Sequence, residues 1–199
     1  MTKFNSRESE FPIDPMFLDR WSPRAFTGEP ISTAELFTML DAAHWAPSSF
    51  NAQPWRFLYA RRDTAHWTKF LHLLVPSNQV WAQNAAALVF IVSNSRMRPP
   101  GGDADVPSHS HSLDAGTASG FLALQARKMG WYVHGMAGFD LDRAVVELGV
   151  PAGYRVEAVY AVGKKADKSS LPEKLQAKEQ PNTRLALREL VFEGGFPPA

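Results

Sequence analysis

Between two prolines the chain reads Pro47-Ser48-Ser49-Phe50-Asn51-Ala52-Gln53-Pro54, which sets two hydroxyls and two carboxamides side by side. Each proline favours an extended backbone in the residue before it, so this run cannot continue a helix and is read as a polar loop stiffened at both ends. Ser32 with Glu35 three residues later carries the signature of a capping box, and Leu36, Leu40 and Ala43 then mark one face of a helix that Pro47 stops. Trp55 to Ala60 reads as a strand. Four neutral hydrogen-bonding side chains thus stand where a helix hands over to a strand. Such a junction either docks a ligand with many polar edges or serves as a helix stop and turn.

The chain of 199 residues, 45% hydrophobic, is long enough for one domain with a sizeable core, and a single domain over 1–199 is expected. A net charge of +1 gives no sign of general nucleic-acid binding. The lack of cysteine removes thiolate nucleophiles, disulfides and Cys-ligated metal centres. Met1 to Glu10 is polar, without the apolar core of a signal peptide, and no apolar run approaches the roughly 18 residues of a membrane span. A cytoplasmic protein with no membrane partner is the expectation.

Phe11 to Leu18 mixes apolar residues and prolines and meets Arg20-Trp21-Ser22-Pro23-Arg24. Two guanidinia and a hydroxyl within five residues suit a phosphate, or form a solvated basic turn. Thr64 to Leu74 reads as a helix that Pro76-Ser77-Asn78 breaks, followed by a short helical piece over 79–85. Leu88 to Val92 is a continuous apolar run, as in a strand covered on both faces. Arg96 to Ser108 holds three prolines and two glycines and is read as a loop and candidate lid. Leu113 to Met129 is the longest helical pattern, and its Gly116 and Gly120 suggest close approach by another helix or a flat ligand. Trp131 to His134 then reads as a strand, Gly135 to Gly138 as a tight loop, Asp140 to Leu148 as a helix and Arg155 to Val162 as a strand. Pro172 can start a short helix over 173–178, and Pro181-Asn182-Thr183-Arg184 leads into a last amphipathic piece and a Gly/Pro-rich tail.

Several catalytic signatures are missing: there is no Gly-x-Gly-x-x-Gly after a strand, no phosphate loop ending in Gly-Lys-Ser/Thr and no Gly-x-Ser-x-Gly elbow. His109 and His111 have no obvious third ligand for a metal and are expected to be exposed. His134 is either a pocket residue or a satisfied strand-end histidine, and Trp45, Phe50 and Trp81 either stack on a ligand or pack the core. What remains is a set of arginines, neutral amides and glycine-rich turns with no evident nucleophile. Such a set suits a bound cofactor that brings its own reactivity.

Four segments resemble those of the flavin-dependent nitroreductase family, in family order: Arg20-x-Ser22-x-Arg24; Ala46-Pro47-Ser48-Ser49-Phe50-Asn51-Ala52-Gln53-Pro54-Trp55-Arg56-Phe57; Gly135-Met136-Ala137-Gly138-Phe139-Asp140; and Pro181-Asn182-Thr183-Arg184. Together they span nearly the whole chain. The resemblance implies an α+β sandwich with a mainly antiparallel sheet flanked by helices, built as an intertwined homodimer with an FMN site at each interface. It implies that Arg20, Ser22 and Arg184 meet the FMN phosphate and that Arg24 lies toward the N1 and O2 edge of the isoalloxazine. Pro47, Ser48, Ser49 and Asn51 would come from the other subunit, Asn78 would meet the pyrimidine edge, and the amides of Ala137 and Gly138 would approach N5. NADH or NADPH would be the reductant, exchanging with a small-molecule electron acceptor in a ping-pong cycle.

The sequence departs from the family pattern at Trp81 and Asn182, positions that are often basic, and at Ala137, which is often acidic. Three functions follow from the resemblance: an FMN-dependent NAD(P)H oxidoreductase acting on nitroaromatics, quinones or similar acceptors; a specialised flavoprotein of the same fold, such as a dehalogenase or an enzyme that consumes its own flavin; and a flavin-binding sensor or carrier without turnover.

Overall fold

The computed structural model describes residues 5–197; the first four residues of the polar leader and the last two of the tail lie outside them. The main sheet holds β1 (Trp55–Arg61), β2 (Ala87–Asn94), β5 (Tyr132–Met136) and β6 (Tyr154–Gly163). Its order is β1-β2-β6-β5, and every neighbouring pair is antiparallel. Residues 87–93 of β2 are all buried, because this strand is central and covered on both faces. Side-chain alternation sends Leu88, Phe90 and Val92 into one core and Ala87, Val89 and Ile91 into the other.

Helices complete both layers. α2 (Thr33–His44) and α5 (His111–Lys128) bring Leu36, Met39, Ala43, Ala115, Ala118 and Leu122 to the second core. α3 (Trp67–His72), α4 (Pro76–Ala82) and α6 (Leu141–Glu147) cover the other face with Phe70, Trp81, Ala82 and Ala144. A short α1 (Pro15–Asp19) precedes the arginine segment, and α7 (Glu173–Gln176) starts beside Pro172 as expected. The capping box at Ser32 and Glu35 is formed in both directions, and Glu35 also accepts from Trp131 Nε1 at 3.2 Å. These bonds to the charged form hold the Glu35 carboxyl below its usual range, led by the Ser32 hydroxyl. Among the described residues no helix is long and apolar enough to cross a membrane.

Five readings need correction. Gly135 and Met136 pair with Tyr160 and Val159 as the end of β5, so the strand does not stop at His134 and the tight loop begins only at Ala137. Pro76 begins α4 at its first turn, where its missing N–H costs nothing, so it starts a helix and does not only break one. The 96–108 stretch holds a small hairpin, β3 (Arg96–Met97) with β4 (Val106–Pro107), braced by an Arg98–Asp105 ion pair at 3.0 Å. His111 is half-buried: its Nδ1 lies 2.7 Å from Ser93 Oγ and 3.5 Å from Glu157. The last amphipathic piece is only a single 3₁₀ turn, Leu187–Glu189, with Leu185, Leu187 and Leu190 exposed.

Candidate active site

The arginine segment, the 178–184 stretch and β5 meet around a cavity of about 470 Å³. Arg7, Arg20, Arg24, Lys178 and Arg184 line it together with Ser22, His134 and Asn182, and no carboxylate stands among its lining residues. Two anchors bring these distant parts together. The buried Glu179 accepts from the Arg24 and Ala25 amides at 2.8 and 2.9 Å with one carboxylate oxygen. Arg7 reaches Asn182 with two bonds of 2.9 Å, from Nε to the carbonyl and from Nη2 to Oδ1.

Crowding of like charge marks the cavity electrostatically. Burial, and then the neighbouring Arg184, lower the pKa of Arg20; the same two causes, with Arg20 third, lower that of Arg7. Among the described residues no ion pair joins Arg20 or Arg184 to a carboxylate. Such a cluster has its charges relieved by an anion, and guanidinium geometry matches the paired oxygens of phosphate. His134 stands in this cavity as well. Burial drives its pKa down to about 4, against the opposing effect of the Pro23 carbonyl 3.0 Å from Nδ1. The ring is therefore neutral near pH 7, with Nδ1–H donating to Pro23, and it lies 4.6 Å from the Trp81 ring. Trp81 is buried, so it packs the core behind the cavity wall, whereas Trp45 and Phe50 are 74% and 70% exposed.

Beyond the end of β5, the carbonyl of Gly138 accepts from Asn78 Nδ2 at 3.0 Å and from the Val75 amide at 3.1 Å. Among the described residues no acceptor is recorded for the Ala137 and Gly138 amides. The loop thus points its carbonyl into the protein and keeps two donors available, the arrangement of a site that binds an electron-rich atom. Asn78 is committed by one amide hydrogen to orienting this loop. That contact is absent from the residue pattern, since sequence spacing does not show that α4 and the loop after β5 meet.

The Pro47–Pro54 loop takes a different place. Ser48 Oγ accepts from the Gln53 amide at 3.0 Å, and the Ser49 amide donates to the buried Asp114 on α5 at 3.2 Å. Phe50, Asn51 and Gln53 all have positive φ, at 51°, 55° and 46°. Non-glycine residues adopt that region at a cost of order 1 kcal/mol each, so the loop stores strain. It precedes β1 at one sheet edge, while His134, Ala137 and Gly138 belong to β5 and its end at the other edge. Three strand spacings, about 14 Å, separate those edges within one chain. The structure therefore brings Arg20, Ser22, Arg24 and Arg184 together, sets Asn78 with Ala137 and Gly138 beside the same end strand, and leaves Pro47, Ser48, Ser49 and Asn51 apart.

Comparison with known proteins bears on this geometry. A family model described as the nitroreductase family matches residues 18–74, which hold both the arginine segment and the polar loop. A crystal structure described as an oxidoreductase containing FMN is 49% identical, with a TM-score of 0.94 and complete coverage of both chains. The chain belongs to the nitroreductase family. An uncharacterized 15.4 kDa protein of Mycolicibacterium smegmatis is 32% identical over 148 residues, covering 70% of this chain and 95% of that one. A nitrobenzene nitroreductase of Ectopseudomonas oleovorans is 46% identical over 44 residues, 22% of this chain and 19% of that protein. The family's α+β architecture accounts for the two-faced sheet, and membership explains the absence of a Rossmann motif from a chain with a cationic cavity.

Sequence reasoning missed Arg7, which lies in a leader that shows only polarity, and Lys178, which it placed only at the end of a short helix after Pro172. Neither has a periodic or motif signal.

Proposed function

We propose that the chain is an FMN-dependent NAD(P)H oxidoreductase that reduces nitroaromatic, quinone or similar small-molecule acceptors. In this reading it forms one domain over 1–199 and works as a homodimer whose copies complete each other's cofactor sites. The observation that carries this is the cavity lined by five cationic side chains and no carboxylate, in the same wall as β5. Its residues fit a phosphate monoester: burial, and then the neighbouring Arg184, lower the pKa of Arg20, and a bound anion offsets both. FMN joins such a group to a flat ring with hydrogen-bonding edges. The FMN named for the 49% identical structure supports the choice, and the nitrobenzene reductase likeness supports the acceptor class.

Arg20, Ser22 and Arg184 would hold the phosphate. Arg24 would face the N1 and O2 edge of the ring, where a guanidinium favours negative charge. The Ala137 and Gly138 amides would donate toward N5, with Asn78 holding their loop in place. Pro47, Ser48, Ser49 and Asn51 would come from the second copy, because one chain keeps them at the far sheet edge. The exposed Trp45, Phe50, Leu113 and Phe121 give that copy an apolar surface to cover. Gly116 and Gly120 on α5 have nothing within 4 Å of an added Cβ, so a partner helix can approach them closely. Bound FMN supplies the hydride transfer between NAD(P)H and the acceptor, so the chain needs no nucleophile of its own.

An absorbance spectrum of the purified protein, followed by anaerobic addition of NADH or NADPH, tests the reading. Flavin bands that bleach rapidly with either nucleotide are expected. A flavin that stays oxidised with both would favour a sensor or carrier, and a colourless protein that takes up no FMN would refute the assignment.

A further inference from the structure

Arg7 stands apart from every residue that the family pattern supplies, yet it lines the cationic cavity. Its guanidinium makes four hydrogen bonds: Nη1 to the carbonyls of Leu18 at 3.2 Å and Arg20 at 2.8 Å, Nε to the Asn182 carbonyl and Nη2 to Asn182 Oδ1, both at 2.9 Å. Asn182 Oδ1 also accepts from Arg184 Nη1 at 3.3 Å. One carboxamide oxygen thus holds Arg7 and Arg184 side by side, while Arg7 fixes the backbone of Arg20. All of these partners are neutral carbonyl oxygens, so these bonds anchor the guanidinium without pairing it with a carboxylate. A guanidinium has five N–H donors, and one on Nη2 is left to serve a ligand.

We infer that Arg7, delivered from the N-terminal segment and held by Asn182 beside Arg184, is a third guanidinium of the FMN phosphate site. Asn182 is then a bracket, carrying no charge itself and holding one that arrives from 175 residues away in sequence. The crowding fits this role: burial lowers the pKa of Arg7, with Arg184 and Arg20 as the next causes. A strap that served only the fold would gain nothing from being placed against two like charges.

The inference rests on the FMN reading, and a comparison of two flavins separates the two. The full-length chain, stripped of flavin, is titrated with FMN and with riboflavin, which lacks the phosphate. Wild type should prefer FMN strongly. Arg7→Ala should lose on the order of 10- to 100-fold in FMN affinity with riboflavin binding unchanged, the scale of one charge-assisted hydrogen bond. Arg7→Ala combined with Asn182→Lys should recover most of the lost preference, because a positive charge returns to the cavity lining beside Arg20 and Arg184. A wild type that does not distinguish the two flavins overturns the phosphate reading and this inference with it. Overturning Arg7 alone takes one of three results in a wild type that does prefer FMN: full preference in Arg7→Ala, equal loss of both flavins in Arg7→Ala, or no recovery in the double variant.

Discussion

Asn78 donates from Nδ2 to the carbonyl of Gly138 at 3.0 Å, across 60 residues of sequence. The bond ties the first turn of α4 to the loop after β5 and decides which way that loop's peptide groups point. A Cβ built on Gly138 would lie 2.6 Å from Asn78 Nδ2 and 3.1 Å from Val75 Cγ2. The glycine is therefore required by close approach, with no demand for an unusual φ.

Gly138→Val should force the loop away from α4 and turn its amides off line. We expect a loss of about 1–3 kcal/mol in urea unfolding, typical of overpacking. Flavin reduction in rapid-mixing experiments should slow by a larger factor than FMN affinity falls. An unchanged reduction rate would remove the loop from the active site.

Arg20 is held in place at a cost, being half-buried and beside Arg184. Arg20→Met keeps the stem and removes the charge, so the flavin-free protein should melt at the same temperature or a few degrees higher, while FMN occupancy falls at least tenfold. The measurement is a pair of thermal scans with and without FMN. Full occupancy in the variant would show that the phosphate binds elsewhere.

His134 makes stability depend on pH below neutrality. Its pKa is about 4 in the fold against 6.5 for the free side chain, so between those values the unfolded chain binds the extra proton. The contribution is fully present above pH 6.5 and is lost as the pH falls through 4, for a total of about 3 kcal/mol. Urea titrations from pH 4 to pH 7 should therefore show a shallower slope in His134→Asn than in wild type. Parallel curves would mean that the ring takes up its proton in the fold at the same pH as in the unfolded chain.

The separation of the polar loop from the cationic cavity predicts complementation. Arg20→Ala and Asn51→Ala should each be weak alone, yet a refolded mixture should regain activity, because mixed dimers carry one site free of both substitutions. Activity of the mixture equal to the mean of the two variants would mean that each chain builds its site alone.

Local chemistry carried much of the fold. The Ser32 capping box, the doubly covered run of β2 and the end of α5 at Met129 depend on neighbours a few residues away, and each forms where the pattern sets it. The errors came from residues with two local uses: Pro76 can break a helix or begin one, and prolines in 96–107 do not prevent a hairpin of two residue pairs. For the candidate site, the arginines and the loop were legible as motifs, but their relation was not. That Arg7 grips Asn182, and that the loop and β5 sit at opposite edges, are matters of topology, set by strand order over the whole chain.

Arg7, Arg20 and Arg184 line one cavity whose lining holds no carboxylate, so an anion bound there as proposed would couple this fold to supply. An anion that binds only the folded chain adds about 2.7 kcal/mol when present at a hundredfold excess over its Kd. Copies synthesised while that anion is scarce open more often and reach proteases sooner than copies made in plenty. If the cavity holds its anion as proposed, the amount of folded protein is expected to follow the supply of that ligand.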